Sequence, residues 1–555
     1  MNYSHERRTE PMVANTCTAS YRLLPKEYDM ANPYGAFLAV LTVCLLARTG
    51  FSISPPAPEK THIEDDASHF IISKETTFFT QPKTNTGYID YASAVNQHFS
   101  GNVTPEINAN ILFWQAIGPA PDGITMDPKF FKLMGMAPPS QQEPYFLPLN
   151  HYLTEKLGLQ SDEPDYQTIS TQQERTWIHP WTAPDYPDLS SWLKFNADPL
   201  LLVTRGTQLD GYSSPMVIPA RDTKSDEQIL LNARLPGLQR TRQIARALAT
   251  RAMLHTGEQR LQSAWENLIA CHRLGRLVGQ GPTLIEILVG QSISQIANRA
   301  TLAFIERAGP DEQQVTRYLS DLDSIPRRPD VVERIDITER CGFLDAVQMM
   351  ARSGSTRALG EASGNLLPVP SKTSVEWDTV MRTGNQWYDR IAQAMRRESR
   401  AARNAELAAI EKDVKQLVQK KEGFLSRLLR TRKTITQTVS NQLVALFLPA
   451  VTRVQVKDER TTQEHHNLRI AFALSGYHHT HKSYPDSLEK LTPRYLSSVP
   501  KDRFSDTCLK YVLKGDGYLL YSIGENQCDD NGNTAEDTPK GDDLVIQIPS
   551  ATNNR

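Results

Sequence analysis

From residue 236 to 350, apolar residues recur every three or four positions, the period of helices that bury one face. Leu248, Ala252 and Leu254 share one side of a first helix, which Gly257 ends. Leu261, Ala264, Trp265, Leu268 and Cys271 trace the inner face of a second, and Gly279-Gln280-Gly281-Pro282 closes it. Thr283 and Glu286 then stand at the spacing at which two side chains satisfy each other's backbone N–H. A third helix is therefore predicted from there to Phe304, ahead of Gly309-Pro310. The expectation for this stretch is an antiparallel helical domain. Residues 61–235 are less regular, rich in proline and aromatics. Short helices are predicted over Tyr91–Phe99 and, capped by Thr104, over Pro105–Ile117. Trp177, Trp181 and Trp192 are read there as packing residues.

Towards the C-terminus the pattern changes. Leu468, Ile470, Ala471, Phe472, Leu474 and Tyr477 give one helix a broad apolar face. Lys510 to Leu513 and Tyr518 to Ser522 read as strands, joined by Gly515-Asp516-Gly517, where glycine supplies the positive φ of a tight hairpin. Leu544 to Ile548 is a third strand. The unit predicted is a helix on a small antiparallel sheet, which makes the whole chain α+β, helix-rich and multidomain. The divisions expected are an N-terminal extension (1–60), a mixed Pro- and aromatic-rich region (61–235), a helical domain (236–350), a loop or linker (351–389), a charged helix (390–440) and a C-terminal domain (441–555).

Composition narrows the function classes. The 555 residues are 39% apolar and 22% charged, which is globular rather than disordered, and the net charge of −2 gives no whole-molecule attraction to nucleic acid. None of the six cysteines forms a CxxC pair, so zinc-ribbon and thioredoxin chemistry have no support. Cys508 and Cys528 flank the predicted hairpin and could pair in an oxidising compartment. No GxSxG, P-loop, HExxH or dinucleotide fingerprint is present. Gly35 to Ala47 is uncharged and followed by Ser54-Pro55-Pro56-Ala57-Pro58. It reads as a signal anchor or signal peptide over 35–54 with a linker, or as a buried segment. Met1 and Met30 are both candidate starts. The Ala264, Leu268, Cys271 spacing is similar to that of the second helix of a tetratricopeptide unit, without a second copy at a fixed period.

Residues 441–555 carry a more specific order: Tyr484-Pro485-Asp486-Ser487-Leu488, Tyr495-Leu496, Val499-Pro500-Lys501-Asp502, Tyr521-Ser522-Ile523-Gly524 and Asp542-Asp543, with Leu446 to Val451 upstream. This order resembles the globular head of the type II secretion G-type major pseudopilin. The chain departs from that family in lacking a prepilin-peptidase site and a long apolar helix at the module's start. The resemblance therefore implies a borrowed domain rather than a subunit assembled into a pseudopilus. It also implies a calcium loop, in which Ser522 matches the family's serine, Asn526 stands at an aspartate position and Asp542 and Asp543 close the loop. The longer loop here adds Asp529, Asp530 and Asp537. Asp529-Asp530-Asn531-Gly532-Asn533 is not an EF-hand, because its glycine comes early and no closing glutamate follows. The candidate metal ligands are thus Ser522, Asn526, Asp529, Asp530, Asp542 and Asp543.

Other chemistry-bearing residues have plainer readings. Asp336, Glu339, Arg340 and Asp345 are expected on a solvated ion-pair face, with an acid–base carboxylate pair as the alternative. Arg396, Arg397, Arg400 and Arg403, with Arg427, Arg430, Arg432 and Lys433, form a basic helix that lacks the interleaved aromatics of a single-strand nucleic-acid surface. His465 and His466 lie roughly 20 Å along the helix from His478, His479 and His481, too far to share an ion. The function expected is a structural or interaction protein, membrane-tethered or exported in the bacterial cell envelope, related to type II secretion components and stabilised by calcium. Its partners would be proteins and, through 35–54, a membrane. No catalytic residue, small-molecule substrate or nucleic acid is inferred. Alternatives are an enzyme with an unrecognised site in 61–350, or a cytoplasmic nucleic-acid-binding protein using 396–433.

Overall fold

A computed structural model of the protein describes residues 70–121, 123–141, 144–218, 229–354, 374–419, 431–448 and 451–549. The apolar segment 35–54, with Cys17 and Cys44, lies outside the described residues. No helix among the described residues is long and apolar enough to cross a membrane. The chain is helix-rich, with one small three-stranded antiparallel sheet among the described residues, an α+β protein.

Among the described residues, seven short helices come first: α1 (Tyr91–Ser100), α2 (Ala109–Ile117), α3 (Pro128–Leu133), α4 (Leu149–Glu155), α5 (Pro164–Thr176), α6 (Pro187–Phe195) and α7 (Ala197–Gly206). Helix α2 begins four residues later than expected. Asn108, not Thr104, caps it, and Asn108 Oδ1 accepts from both Asn110 N (3.1 Å) and Ser213 N (3.0 Å). A contact more than a hundred residues away therefore fixes the start, which no local pattern reveals. Trp177, Trp181 and Trp192 are all buried, as packing residues should be.

The predicted helical region follows as α8 (Leu238–Gly257), α9 (Leu261–Val278) and α10 (Leu284–Ala308), each packed on the other two. The capping box is present: Thr283 Oγ1 accepts from Glu286 N at 3.2 Å, and the Glu286 carboxylate accepts from Thr283 N at 3.0 Å. Two glycines let α9 and α10 touch backbone to backbone. A Cβ on Gly290 would lie 2.4 Å from Gly275 O, so even alanine would push the helices apart. Gly257 has a second task beyond ending α8: a Cβ there would sit 2.0 Å from Trp181 O.

Helix α11 (Glu312–Asp323) closes an aromatic cluster around Trp265. The Trp265 ring lies 4.3 Å from Tyr318 and 5.6 Å from Phe472, and its Nε1–H donates to Asp321 Oδ2 at 2.7 Å. Burying the apolar body while pairing the polar edge is what a large indole needs.

After α12 (Val331–Arg334) the helix widens to a π-turn over Ile335–Glu339 and continues as α13 (Arg340–Ser353). Here the expected solvated face is corrected. Arg340 is buried, bonded to Asp336 and Asp389 and lying over the Phe78 ring. Asp345 is buried and accepts from Leu230 N at 2.6 Å; burial raises its carboxyl to about 7. The expected charged helix over 390–440 falls on parts of three helices: the end of α14 (Trp377–Met395), all of α15 (Arg400–Gln419), which starts after Ser399, whose Oγ accepts from Ala402 N at 3.3 Å, and the start of the next. Helix α16 (Arg432–Phe447) packs on both α14 and α15.

Helix α17 (Val451–His481) leads to the sheet β1 (Lys510–Lys514), β2 (Gly517–Ser522) and β3 (Leu544–Ile548). The strands pair antiparallel in the order β1-β2-β3, with Lys514 opposite Gly517 across the Gly515-Asp516 turn and Leu520 opposite Ile546. Gly515 takes φ +55°, the left-handed conformation that the turn requires. Leu468 and Ile470 to Leu474 are all fully buried, because α17 lies between α10 and α11 on one side and β2 and β3 on the other. One apolar cluster consequently runs from α2 through α8–α11 and α17 into the sheet.

Candidate metal centre

Central strand β2 is buried along its whole length, and the loop 523–543 carries the chain from its end back into β3. Two glycines shape that loop. Gly524 takes φ +71°, and a Cβ there would fall 2.6 Å from Asp542 Oδ1; one on Gly541 would fall 2.3 Å from Asn533 O. Hydrogen bonds draw the two ends together. Asp530 Oδ2 accepts from Asp542 N at 3.0 Å, and Asp542 Oδ2 accepts from Asn526 N at 3.0 Å. Asp543 Oδ2 accepts from Gly532 N at 2.8 Å.

The result is a cluster of like charges. Asp530, Asp542 and Asp543 each offer an oxygen, all within 4.8 Å of one another. Asp543 is fully buried, and neither its Oδ1 nor Asp542 Oδ1 accepts any hydrogen bond, although both atoms are shielded from water. Burial raises the Asp543 carboxyl to about 6, and the charges of Asp530 and Asp529 add to the rise against the opposing backbone N–H bonds. Shielded carboxylate oxygens without donors are costly unless a cation or proton relieves them.

Of the six predicted ligands, Asn526, Asp530, Asp542 and Asp543 come together. Asn526 Nδ2 donates to Asp530 Oδ2 at 3.1 Å. Asp529 turns away: it accepts from Tyr521 Oη (3.1 Å) and pairs with Lys510 Nζ (3.1 Å). Ser522 is buried, and its Oγ donates to Asp502 Oδ1 at 2.8 Å rather than facing the three aspartates. Asp502 is the residue sequence reasoning missed. Buried itself, it also accepts from Phe504 N (2.8 Å) and Ile523 N (3.1 Å), locking the 499–504 turn to the end of β2. In the sequence it stands only as the last residue of Val499-Pro500-Lys501-Asp502, with nothing local to mark its role. Asp537 makes its own turn with Thr534.

The donor set fits a hard cation. Three carboxylates whose oxygens lie within 4.8 Å of one another are ligands of the type Ca²⁺ takes, three of the six to eight oxygens it needs. These residues would hold the ion; what it would supply is charge neutralisation and closure of the loop.

The three terminal histidines diverge: His478 stacks on Tyr484, His481 stacks on Tyr477, and His479 Nδ1 faces Gly309 O at 3.1 Å. No disulfide joins Cys508, which is exposed, to Cys528, which is half-buried. Arg400 and Arg403 both bind buried Glu459, Arg396 binds Asp336 and Arg397 binds Glu406. Arg427 and Arg430 lie outside the described residues. Within 61–350, Glu286 is buried and raised by burial to about 7, beside Tyr212 and Trp114. The cavity it lines holds only about 20 Å³, room for about one water.

No protein-family model matches the chain, and no curated protein and no solved structure matches it.

Proposed function

We propose that this is a structural or interaction protein of the bacterial cell envelope, exported or membrane-tethered, whose C-terminal region is related to the type II secretion pseudopilins and is stabilised by calcium. The observation that carries the reading is the closure of loop 523–543 by Asp530, Asp542 and Asp543, with two shielded carboxylate oxygens that accept nothing. An extracytoplasmic setting, where calcium is plentiful, suits such a loop. The ion has a mechanical role here, pinning a long polar loop to the edge of a small sheet, and no catalytic step is asked of it.

The test is thermal melting of the full chain with calcium, with magnesium and with chelator. Calcium at 100 times its dissociation constant stabilises by about 2.7 kcal/mol. A calcium-selective rise in Tm that disappears in Asp543→Asn is the expected result. Identical melting in all three conditions would remove the ion from the proposal. Protease protection in intact cells tests the compartment separately: a fully shielded, cytoplasmic chain would defeat the envelope assignment while leaving the loop untouched.

A further inference from the structure

We propose that ion binding in loop 523–543 controls how firmly the start of helix α15 is held against the C-terminal sheet. This rests on the calcium reading of the loop and adds to it the element that the ion regulates.

Both ends of the loop are tied to one turn. At the first end, the Asp502 carboxylate accepts from Ser522 Oγ (2.8 Å) and Ile523 N (3.1 Å), and it also accepts from Phe504 N (2.8 Å). At the other end, Leu544 O, one residue past Asp543, accepts from Asn467 Nδ2 at 3.0 Å. Asn467 Oδ1 accepts from Gln463 Nε2 at 2.6 Å, and Gln463 Oε1 accepts from Arg503 N at 2.8 Å. Asp502, Phe504, Ser522, Gln463 and Asn467 are all buried. A buried chain of hydrogen bonds is costly to leave partly made, because each released group is shielded from water. Moving either end of the loop therefore strains the bonds that hold residues 502–504.

That turn carries the first turn of α15. Arg400 Nη1 donates to Phe504 O at 3.2 Å, and its guanidinium lies 4.8 Å from the centre of the Phe504 ring. Arg400 and Arg403 both reach Glu459 on α17, one helical turn before Gln463. No acidic residue stands in the first turn of α15, so two guanidiniums occupy the positive end of the helix dipole. Glu459 and Phe504 offset that cost and keep them in place. In the empty loop, like charges press Asp530 away from Asp542 and Asp543 at the loop's end. A bound cation reverses the force, settles both ends, and favours the docked form of α15; the empty loop favours its release.

Hydrogen exchange of the full-length protein is followed in calcium, in magnesium and in chelator, with calcium binding measured in parallel by titration. Contact is not coupling, so both directions are read. Coupled sites alter each other's equilibria by the same factor, typically about 5–150-fold. Amides of residues 403–408 should exchange about fivefold or more slower in calcium, while α1, which shares none of these contacts, serves as the unaffected reference. Calcium affinity should fall by a similar factor in Arg400→Gln and in Gln463→Leu, and stay unchanged in Lys415→Gln, on an exposed part of α15. Should Arg400→Gln fail to fold, Arg400→Lys takes its place, since it keeps the charge and loses the planar contacts. The exchange measurement on the unaltered chain needs no variant. Absence of calcium binding overturns the loop reading and this proposal together. Calcium binding with unchanged exchange at 403–408, or with equal slowing in α1, leaves the loop reading standing and overturns the coupling.

Discussion

Two groups of shielded carboxylates in the C-terminal half solve the same problem differently. Glu459 on α17 is buried, and the chain brings it two guanidiniums from α15: Arg400 Nε at 3.0 Å and Arg403 Nη2. Arg400 also lies over the Phe504 ring and donates to Phe504 O at 3.2 Å, so the ion pair fastens α15 to the turn below the sheet. Asp530, Asp542 and Asp543 sit a short way along the same module with only backbone and amide N–H groups around them. One cluster carries its own counter-ions. In the proposed reading, the other takes its compensating charge from a bound calcium ion. The proposed calcium site thus rests on shielded oxygens without an internal cation, and not on burial alone.

The largest effect should come from breaking the self-contained cluster. Glu459→Ala leaves Arg400 and Arg403 shielded and without their common partner, and a loss of about 3–5 kcal/mol is expected in denaturant unfolding. In the loop the sign should differ. Asp543→Asn removes a repelling charge, so the calcium-free protein should gain stability, while the calcium-dependent increment of about 2.7 kcal/mol disappears. A loss of stability in calcium-free Asp543→Asn would erase the contrast between the two clusters.

A pH series sharpens the same contrast. The folded carboxyl of Asp543 is raised to about 6, against an unfolded value near 3.9. A raised carboxyl favours folding below its unfolded value, and that contribution is lost as pH rises through the folded one. Calcium-free protein should thus lose about 3 kcal/mol between roughly pH 4 and 6, and saturating calcium should abolish the slope. The smallest effect is expected at Lys510, whose pair with Asp529 is half exposed. Lys510→Gln should cost under about 1 kcal/mol and leave the calcium response intact.

What could be read in advance follows from the range of the interaction responsible. The Thr283–Glu286 cap and the Gly515-Asp516 turn are decided within a few residues, and both formed as expected. The apolar face of α17 was legible too, though not that it would be covered on opposite sides by helices and sheet. Arg340 and Asp345 gave the local pattern of a wet helix face. Their burial depends on Phe78, Asp389 and Leu230, which approach from remote parts of the chain. In the loop, Asp530, Asp542 and Asp543 were recognisable by type and order. Ser522 and Asp529 were not separable from them, because Asp502 and Lys510 claim those two side chains from outside the motif.

The position of α17 has a consequence during synthesis. Its partners α10 and α11 are complete at Asp323, but Phe472, which covers Trp265 and Tyr318, follows only after another stretch comparable in length to a small domain. At roughly 5–20 residues per second, that interval is on the order of ten seconds. Throughout it the growing chain presents an uncovered aromatic surface to its surroundings. A ribosome stalled between α11 and α17 would hold a sticky intermediate, and chaperone demand should concentrate in that window.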